Sequence, residues 1–212
     1  MEGKDAFVLR LISRINHPGV SLAILPVLKK YLGNKPEDLT YLAGLKSWEA
    51  RWVATQKIPD LLPGQEGWQL LCELAQDPER NVREGAAHGL GFLLLRYPQL
   101  QEQYEAVLRD HNVSEDLRKA VLHSAVVLWR KYPDRIDTAL SILTVGASQE
   151  PGGCFAIIGS YLVAIDLMKF YPEMARSLKE KWENSKNVNL QHHARRIYQK
   201  ESETPVNVAG NF

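Results

Sequence analysis

The sequence has little of what marks a secreted or membrane-inserted protein. It contains two cysteines among 212 residues, Cys72 and Cys154, and both lie within apolar runs. A free thiol in such surroundings usually behaves as a small buried hydrophobe, so we predict a reducing compartment and no disulfide framework. The N-terminus lacks the basic start and the apolar segment of a signal peptide. The longest nearly uncharged stretch, residues 152–165, is shorter than the roughly 20 residues that cross a bilayer, so we predict a cytoplasmic protein without a membrane partner.

An excess of charge of one sign is also missing. The chain has 26 Lys and Arg residues against 25 Asp and Glu residues, which gives a formal net charge of +1 at pH 7. No overall field therefore draws the protein toward a polyanion. Locally, residues 176–200 carry a basic surplus, whereas residues 60–84 carry an acidic one. We expect one end of the molecule to be more positive than its middle.

The signature motifs of several enzyme classes are absent as well. The sequence has no Gly-x-Ser-x-Gly, no His-Glu-x-x-His and no paired Cys-x-x-Cys. Gly152 and Gly153 precede a predicted helix, but no Lys or Thr follows them as in a phosphate-binding loop. We therefore predict no catalytic residue, no cofactor and no metal, and we favour a non-enzymatic protein.

An internal repeat is the main feature that the sequence does contain. The pair Tyr-Pro recurs at residues 97–98, 132–133 and 171–172, with spacings of 35 and 39 residues. Counting back fifteen residues from each proline aligns Arg83, Arg118 and Ile157, and an earlier copy from Arg51 fits the same frame. Such a period is typical of stacked two-helix units. Apolar residues recur at helical spacing without strand-like alternation, which predicts an all-α fold.

Residues 77–87, with the sequence DPERNVREGAA, resemble the core of a HEAT repeat. In that family an Asp in the inter-helix turn precedes Val-Arg and paired alanines, and residues 110–120 are a looser copy. The resemblance covers residues 47–200 and implies a HEAT-like solenoid, a right-handed α-α superhelix of about five to six helical hairpins. Residues 1–46 are then a degenerate N-terminal cap of the same domain, and residues 201–212 are a flexible tail. The resemblance leaves function open, because sites are grafted onto folds.

The repeat frame places candidate partner-binding residues on the second helix of each unit. Arg51, Arg83 and Arg118 occupy equivalent positions, on the face that lines the concave side of many solenoids. There they could recognise carboxylates or phosphates of a partner. The role that the resemblance favours for them is structural, because arginines at this position in HEAT-like repeats commonly pair with turn acids such as Asp77 or Asp116.

Two histidines repeat in the same frame. His88 and His123 each follow their arginine by five residues, so they should project from one side of adjacent helices. A catalytic zinc site needs three protein ligands, and no Cys, Asp or Glu recurs beside the histidines at ligand spacing. We therefore predict polar packing for this pair, or participation in partner binding, and no metal.

A second, weaker resemblance points toward DNA. Residues 48–52, Trp-Glu-Ala-Arg-Trp, resemble the aromatic and arginine groups that HEAT-like alkylpurine DNA glycosylases present to DNA. That family also places a carboxylate near its pocket tryptophans, whereas no Trp here is followed one helical turn later by Asp or Glu. The resemblance implies nucleic-acid contacts from Trp48, Arg51 and Trp52, together with Arg195 and Arg196 on the basic last helix.

Three hypotheses follow from the sequence, of which the third is a regulatory subunit or a lyase-type HEAT protein that acts on a prosthetic group. The leading one is a non-enzymatic scaffold that binds a protein or peptide partner on its concave second-helix face, through Arg51, Arg83, Arg118, His88 and His123. The alternative is a DNA-binding repair protein resembling the glycosylases, and any enzymatic activity would then be glycosylase-like.

Overall fold

The structure is a computed structural model of the chain. It describes residues 34–149 and 172–184, together with the single residues Lys30, Lys186, Val188, Gln191, Ala194 and Arg195. All regular structure in these ranges is helical, with no strand among them, so the all-α prediction is confirmed for this part of the chain. Most of the predicted cap, the predicted tail, Cys154, Ile157 and Arg196 lie outside the described residues.

Helices follow one another with short connections from residue 36 to residue 149. They are α1 (Pro36–Ala43), α2 (Trp48–Leu61), α3 (Gly64–Leu74), α4 (Arg80–Arg96), α5 (Gln101–Arg109), α6 (Glu115–Lys131) and α7 (Ile136–Gln149). Short 3₁₀ turns, Pro98–Leu100 and Pro133–Arg135, precede α5 and α7, and a further helix, α8, spans Pro172–Glu183. The chain divides into two compact units, residues 1–139 and 140–212.

Each described Tyr-Pro pair separates two successive helices. Tyr97 and Tyr132 leave the helical conformation with φ values of −128° and −136°, and the prolines after them open the 3₁₀ turns. A proline inside a helix lacks the N–H donor that the helix needs, yet its fixed φ suits the first turn of a new one. The pair therefore marks the end of one helix and the start of the next, at both places where the structure describes it.

The N-terminal unit has its long helices in one layer and its short helices in another. Helix α4 packs between α2 and α6, α1 packs on α2, and α3 and α5 pack on α4 and α6 respectively. Side chains join the short helices, since the Trp68 and Tyr104 ring centroids are 4.4 Å apart. The buried Tyr104 hydroxyl also donates to the Leu90 carbonyl oxygen at 2.7 Å, which ties α5 to α4.

Two glycines allow α4 to approach its neighbours closely. A Cβ atom on Gly89 would lie 2.8 Å from the Thr55 carbonyl oxygen of α2, and one on Gly91 would lie 2.9 Å from the Ser124 carbonyl oxygen of α6. Both obstacles are backbone atoms, so a larger residue would have to displace a whole helix. Helix α2 also continues through Pro59, which has no N–H to donate to the Thr55 carbonyl.

The C-terminal unit is described in part. Helix α8 buries Trp182 and exposes Glu173 and Arg176, as an amphipathic helix does. Beyond it, Ala194 is buried and Arg195 is exposed. Throughout the described ranges, no helix combines the length and the apolar character needed to span a membrane.

Cys72 is half-buried in the structure, whereas the sequence predicts a small buried hydrophobe at this position. It is a free thiol on α3. Burial raises the pKa of Cys72 to about 12, with a further contribution from the negative charge of Glu73. The thiol therefore stays protonated at neutral pH and is a poor nucleophile.

Candidate functional site

Two adjoining depressions lie along the layer of long helices in the N-terminal unit. The first, which we call the tryptophan pocket, lies between α2 and α4 and has a volume of about 380 Å³. Its walls are Trp48, Trp52, Gln56, Asn81, Glu84, Gly85 and His88. The second, which we call the α4–α6 groove, lies between α4 and α6 and has a volume of about 260 Å³. Its polar walls are Arg80, Arg83, Glu84, Asp116, Lys119 and His123. Glu84 lines both, so the two form one continuous surface.

The repeat explains why these residues share a surface. In the frame that aligns the three arginines, the next residue of each copy is Trp52, Glu84 or Lys119. Equivalent residues of stacked units take equivalent places, so one aromatic, one acidic and one basic side chain line successive positions along the layer.

The start of α2 determines where Trp48 lies. Ser47 precedes the helix in an extended conformation, and its side chain accepts a hydrogen bond from the Ala50 N–H at 3.4 Å. Its hydroxyl also donates to the Glu49 carboxylate at 2.6 Å. A serine at this position satisfies a helix donor that would otherwise lack a partner. Trp48 is consequently the first residue of the helix, one turn before Trp52.

Both tryptophans are half-buried and open into the pocket. The Trp52 ring edge lies over Gly85, where an added Cβ would be 3.0 Å from Cδ1. Glu84 supplies the only carboxylate among the residues described around this pocket, and no lysine or arginine lines it. This carboxylate comes from the next repeat and not from the turn after a tryptophan. The spacing along one helix therefore does not reveal it, and the repeat frame gives only a partial signal, the alignment of Glu84 with Trp52.

Arg51 is engaged within the fold. Its Nε and Nη2 atoms donate to the Asp77 carboxylate at 2.5 and 2.9 Å, and its Nη1 donates to the Leu45 and Lys46 carbonyl oxygens at 2.9 and 2.8 Å. The Arg51 side chain is 12% exposed and that of Asp77 is 6% exposed. This bidentate pair joins α2 to the turn before α4. The contacts of Arg51 are therefore of the structural kind that the sequence resemblance favours.

Arg83 repeats part of this arrangement. Its Nη1 donates to the carbonyl oxygens of Asp77 and Pro78 at 2.7 and 2.9 Å. These residues precede Arg83 by six and five positions, the same offsets that relate Leu45 and Lys46 to Arg51. Arg83 is half-buried and also lines the α4–α6 groove. The equivalent Arg118 of α6 is likewise half-buried.

The structure brings His88 and His123 together, as their repeat positions predict. Their ring centroids are 5.4 Å apart and the ring planes meet at 74°. Burial lowers the pKa of His123, positive charge on His88 and Arg130 lowers it further, and Glu84 acts in the opposite direction. Among the described residues, no group of three or more His, Cys, Asp and Glu side chains is placed to hold a metal ion.

The charges along this face are mixed and partly paired with one another. Arg80 pairs with Glu84 at 2.7 Å, and Lys119 pairs with Glu115 at 2.5 Å. Of the residues suggested for DNA contact, Trp48 and Trp52 lie together in the pocket, whereas Arg51 is held by Asp77. Arg195 is exposed and belongs to the other compact unit.

No protein-family model, curated protein or solved structure matches this chain, so its function is inferred from the contacts of its own residues.

Proposed function

We propose that this protein is a non-enzymatic HEAT-like scaffold that binds a protein or peptide on the face formed by α2, α4 and α6. The observation that carries the proposal is the continuity of the tryptophan pocket and the α4–α6 groove, which share Glu84. An extended segment of a partner could lie across both depressions. In a solenoid, the second helices line a surface of this kind, and the partner would bind along it.

The chemistry of the face supports a protein partner. Tryptophan and arginine are enriched among the residues that contribute most to protein interfaces. Around these anchors the face carries charges of both signs, which suits recognition of a polypeptide better than attraction of a uniformly charged polymer.

The HEAT-like architecture is part of the proposal. It is supported by the alternation of long and short helices, by the Tyr-Pro boundaries and by the recurring contacts of Arg51 and Arg83 with the turns before them. A right-handed superhelix and a cytoplasmic location belong to the same proposal. The protonated, free Cys72 is compatible with that location.

Site-specific photocrosslinking tests the proposed face. We would place benzoylphenylalanine at Gln56 or Lys119 on the face, and at the exposed Glu102 of α5 as a matched control, in the full chain added to native extract. We expect crosslinked products from the two face positions and none from position 102. Each partner is then identified by mass spectrometry, purified and mixed with the parent chain and with Lys119→Glu. Binding that weakens about tenfold or more with that variant supports the proposal.

Two outcomes would contradict the scaffold proposal. One is crosslinking from position 102 alone, which would place the partner on the short-helix layer. The other is a purified partner whose affinity is unchanged by Lys119→Glu and by a second face variant, Trp48→Ala. Circular dichroism of each variant checks that the helices are retained.

A second candidate is a DNA-binding repair protein resembling the HEAT-like alkylpurine DNA glycosylases. The observation in its favour is that Glu84 brings a carboxylate to Trp48 and Trp52. The engagement of Arg51 by Asp77 weighs against it, because that guanidinium is not available to phosphates. This candidate requires salt-sensitive duplex binding, and a chain that binds no duplex at low salt is not of this type.

A further inference from the structure

We propose that the tryptophan pocket receives an arginine side chain of the protein partner, an inference that rests on the proposed function and specifies what the partner must present. The pocket combines two indole rings from one helix with one carboxylate from the next. These are the two kinds of group that attract a guanidinium, the rings through their negative faces and the carboxylate through charge.

The charge of the pocket selects a cation. Glu84 is the one carboxylate among the described residues that line it, His88 is the one other titratable side chain of this lining, and the same lining contains no lysine or arginine. The side chains of Gln56 and Asn81 add amide oxygens that can accept hydrogen bonds from N–H groups. A phosphate or carboxylate entering this pocket would meet a like charge, whereas a cation would meet an opposite one.

The shape of the pocket favours arginine over lysine. A guanidinium is planar, so it can stack on an indole face while its edge donates two parallel hydrogen bonds to a carboxylate. A lysine ammonium is a compact, strongly hydrated charge that loses more hydration on entering a half-buried aromatic site. The two tryptophans are one turn apart on α2, and they line the same pocket as Glu84 of α4.

The internal partner of Glu84 does not prevent this binding. Glu84 accepts a hydrogen bond from Arg80 at 2.7 Å, but the Arg80 side chain is 82% exposed and that of Glu84 is 48% exposed. Exposed ion pairs of this kind contribute little to stability, so an incoming arginine that is also stacked on indole can replace Arg80. Arg80 lines the α4–α6 groove and not the tryptophan pocket. Its side chain can therefore stay in the groove after the incoming arginine has taken its place at Glu84.

The test uses two short peptides that differ only in the side chain of one residue. The probes are acetyl-Gly-Gly-Arg-Gly-Gly-amide and the same peptide with citrulline, which has the shape of arginine without its charge. Each is titrated into the full ¹⁵N-labelled chain while the indole N–H signals of Trp48 and Trp52 are followed by NMR. Trp48→Phe and Trp52→Phe assign the two signals. We expect saturable shifts of both signals with the arginine peptide, and a dissociation constant at least about fivefold weaker with citrulline.

Two variants that make the same change in net charge test whether the arginine peptide binds at Glu84. Glu84→Gln is expected to weaken binding of the arginine peptide by about fivefold or more, because it removes the carboxylate and keeps the size of the side chain. Glu102→Gln makes the same change in net charge on α5 and should leave the dissociation constant unchanged. Equal binding of the two peptides, or full binding of the arginine peptide by Glu84→Gln, would overturn the inference.

Failure of this inference can be told apart from failure of the scaffold proposal. If partners crosslink at Lys119 while the arginine and citrulline peptides behave alike, the binding face stands and the arginine pocket does not. If the protein binds the arginine peptide more tightly than the citrulline peptide while crosslinks form at position 102 alone, the pocket recognises arginine. The partner then docks elsewhere than on the proposed face.

Discussion

Replacement of Arg51 by methionine is expected to lower the free energy of unfolding by about 3–5 kcal/mol. The substitution would leave the Asp77 carboxylate buried without its cation, and it would remove the donor to the carbonyl oxygens of Leu45 and Lys46. Asp77 would keep the Glu79 N–H as a donor at 2.8 Å, which lessens the loss without replacing the charge. The loss is large because removal of the guanidinium leaves the buried carboxylate without an opposite charge and out of contact with water.

Urea denaturation followed by circular dichroism measures this loss. The matched control is Arg80→Met, which removes the same side chain from an exposed pair with Glu84 and should cost no more than about 1 kcal/mol. Arg51→Lys should fall between the two, because lysine keeps the charge but cannot make the bidentate contact. Equal destabilisation by Arg51→Met and Arg80→Met would show that the Arg51–Asp77 pair does not hold α2 to the turn before α4.

Replacement of Gly89 by alanine is expected to destabilise the protein by about 1–3 kcal/mol. On helix propensity alone the change should stabilise α4 by about 1 kcal/mol, because alanine is the better helix former. The added Cβ, however, would lie 2.8 Å from the Thr55 carbonyl oxygen and from Cδ2 of Leu71. The backbone of α2 would have to move, and the layer of long helices would open.

Gly44→Ala is the matched control for this prediction. Gly44 follows α1 with φ of −86°, a conformation that alanine adopts readily, and the nearest atoms to an added Cβ are 3.7 Å away. This variant should be neutral or slightly more stable than the parent chain. A Gly89→Ala variant with a gain of the same size would mean that α2 and α4 are not packed as closely as the structure has them.

Much of the fold follows from signals that are local in the sequence. The Tyr-Pro pairs predict the ends of α4 and α6, because a proline stops a helix through its own missing donor. Ser114 predicts the start of α6, because its side chain accepts the hydrogen bond from the Leu117 N–H, at 3.3 Å. The start of α3 at Gly64 has no such local signal. Pro63 precedes it without a side-chain hydrogen bond to mark the boundary.

The candidate site was harder to predict, because its contacts join different repeats. The frame aligned Arg51, Arg83 and Arg118 but could not choose between a partner and a turn acid. That choice depends on the distance between α2 and the following turn, which brings Asp77 to Arg51. Glu84 was missed for the same reason. It shares no helix with Trp48 and Trp52, and only the close approach of α4 to α2 places its carboxylate in their pocket.

The stacking of α4 on α6 sets equivalent residues side by side, and NMR of the two repeat histidines can measure whether it does. With centroids 5.4 Å apart, the rings of His88 and His123 should give nuclear Overhauser cross-peaks. The pKa of His123 should lie below that of an ordinary histidine, and His88→Gln should raise it by removing a neighbouring positive charge. Assigned rings without cross-peaks, and a His123 pKa that does not respond to His88→Gln, would contradict the stacking of α4 on α6 and the binding face derived from it.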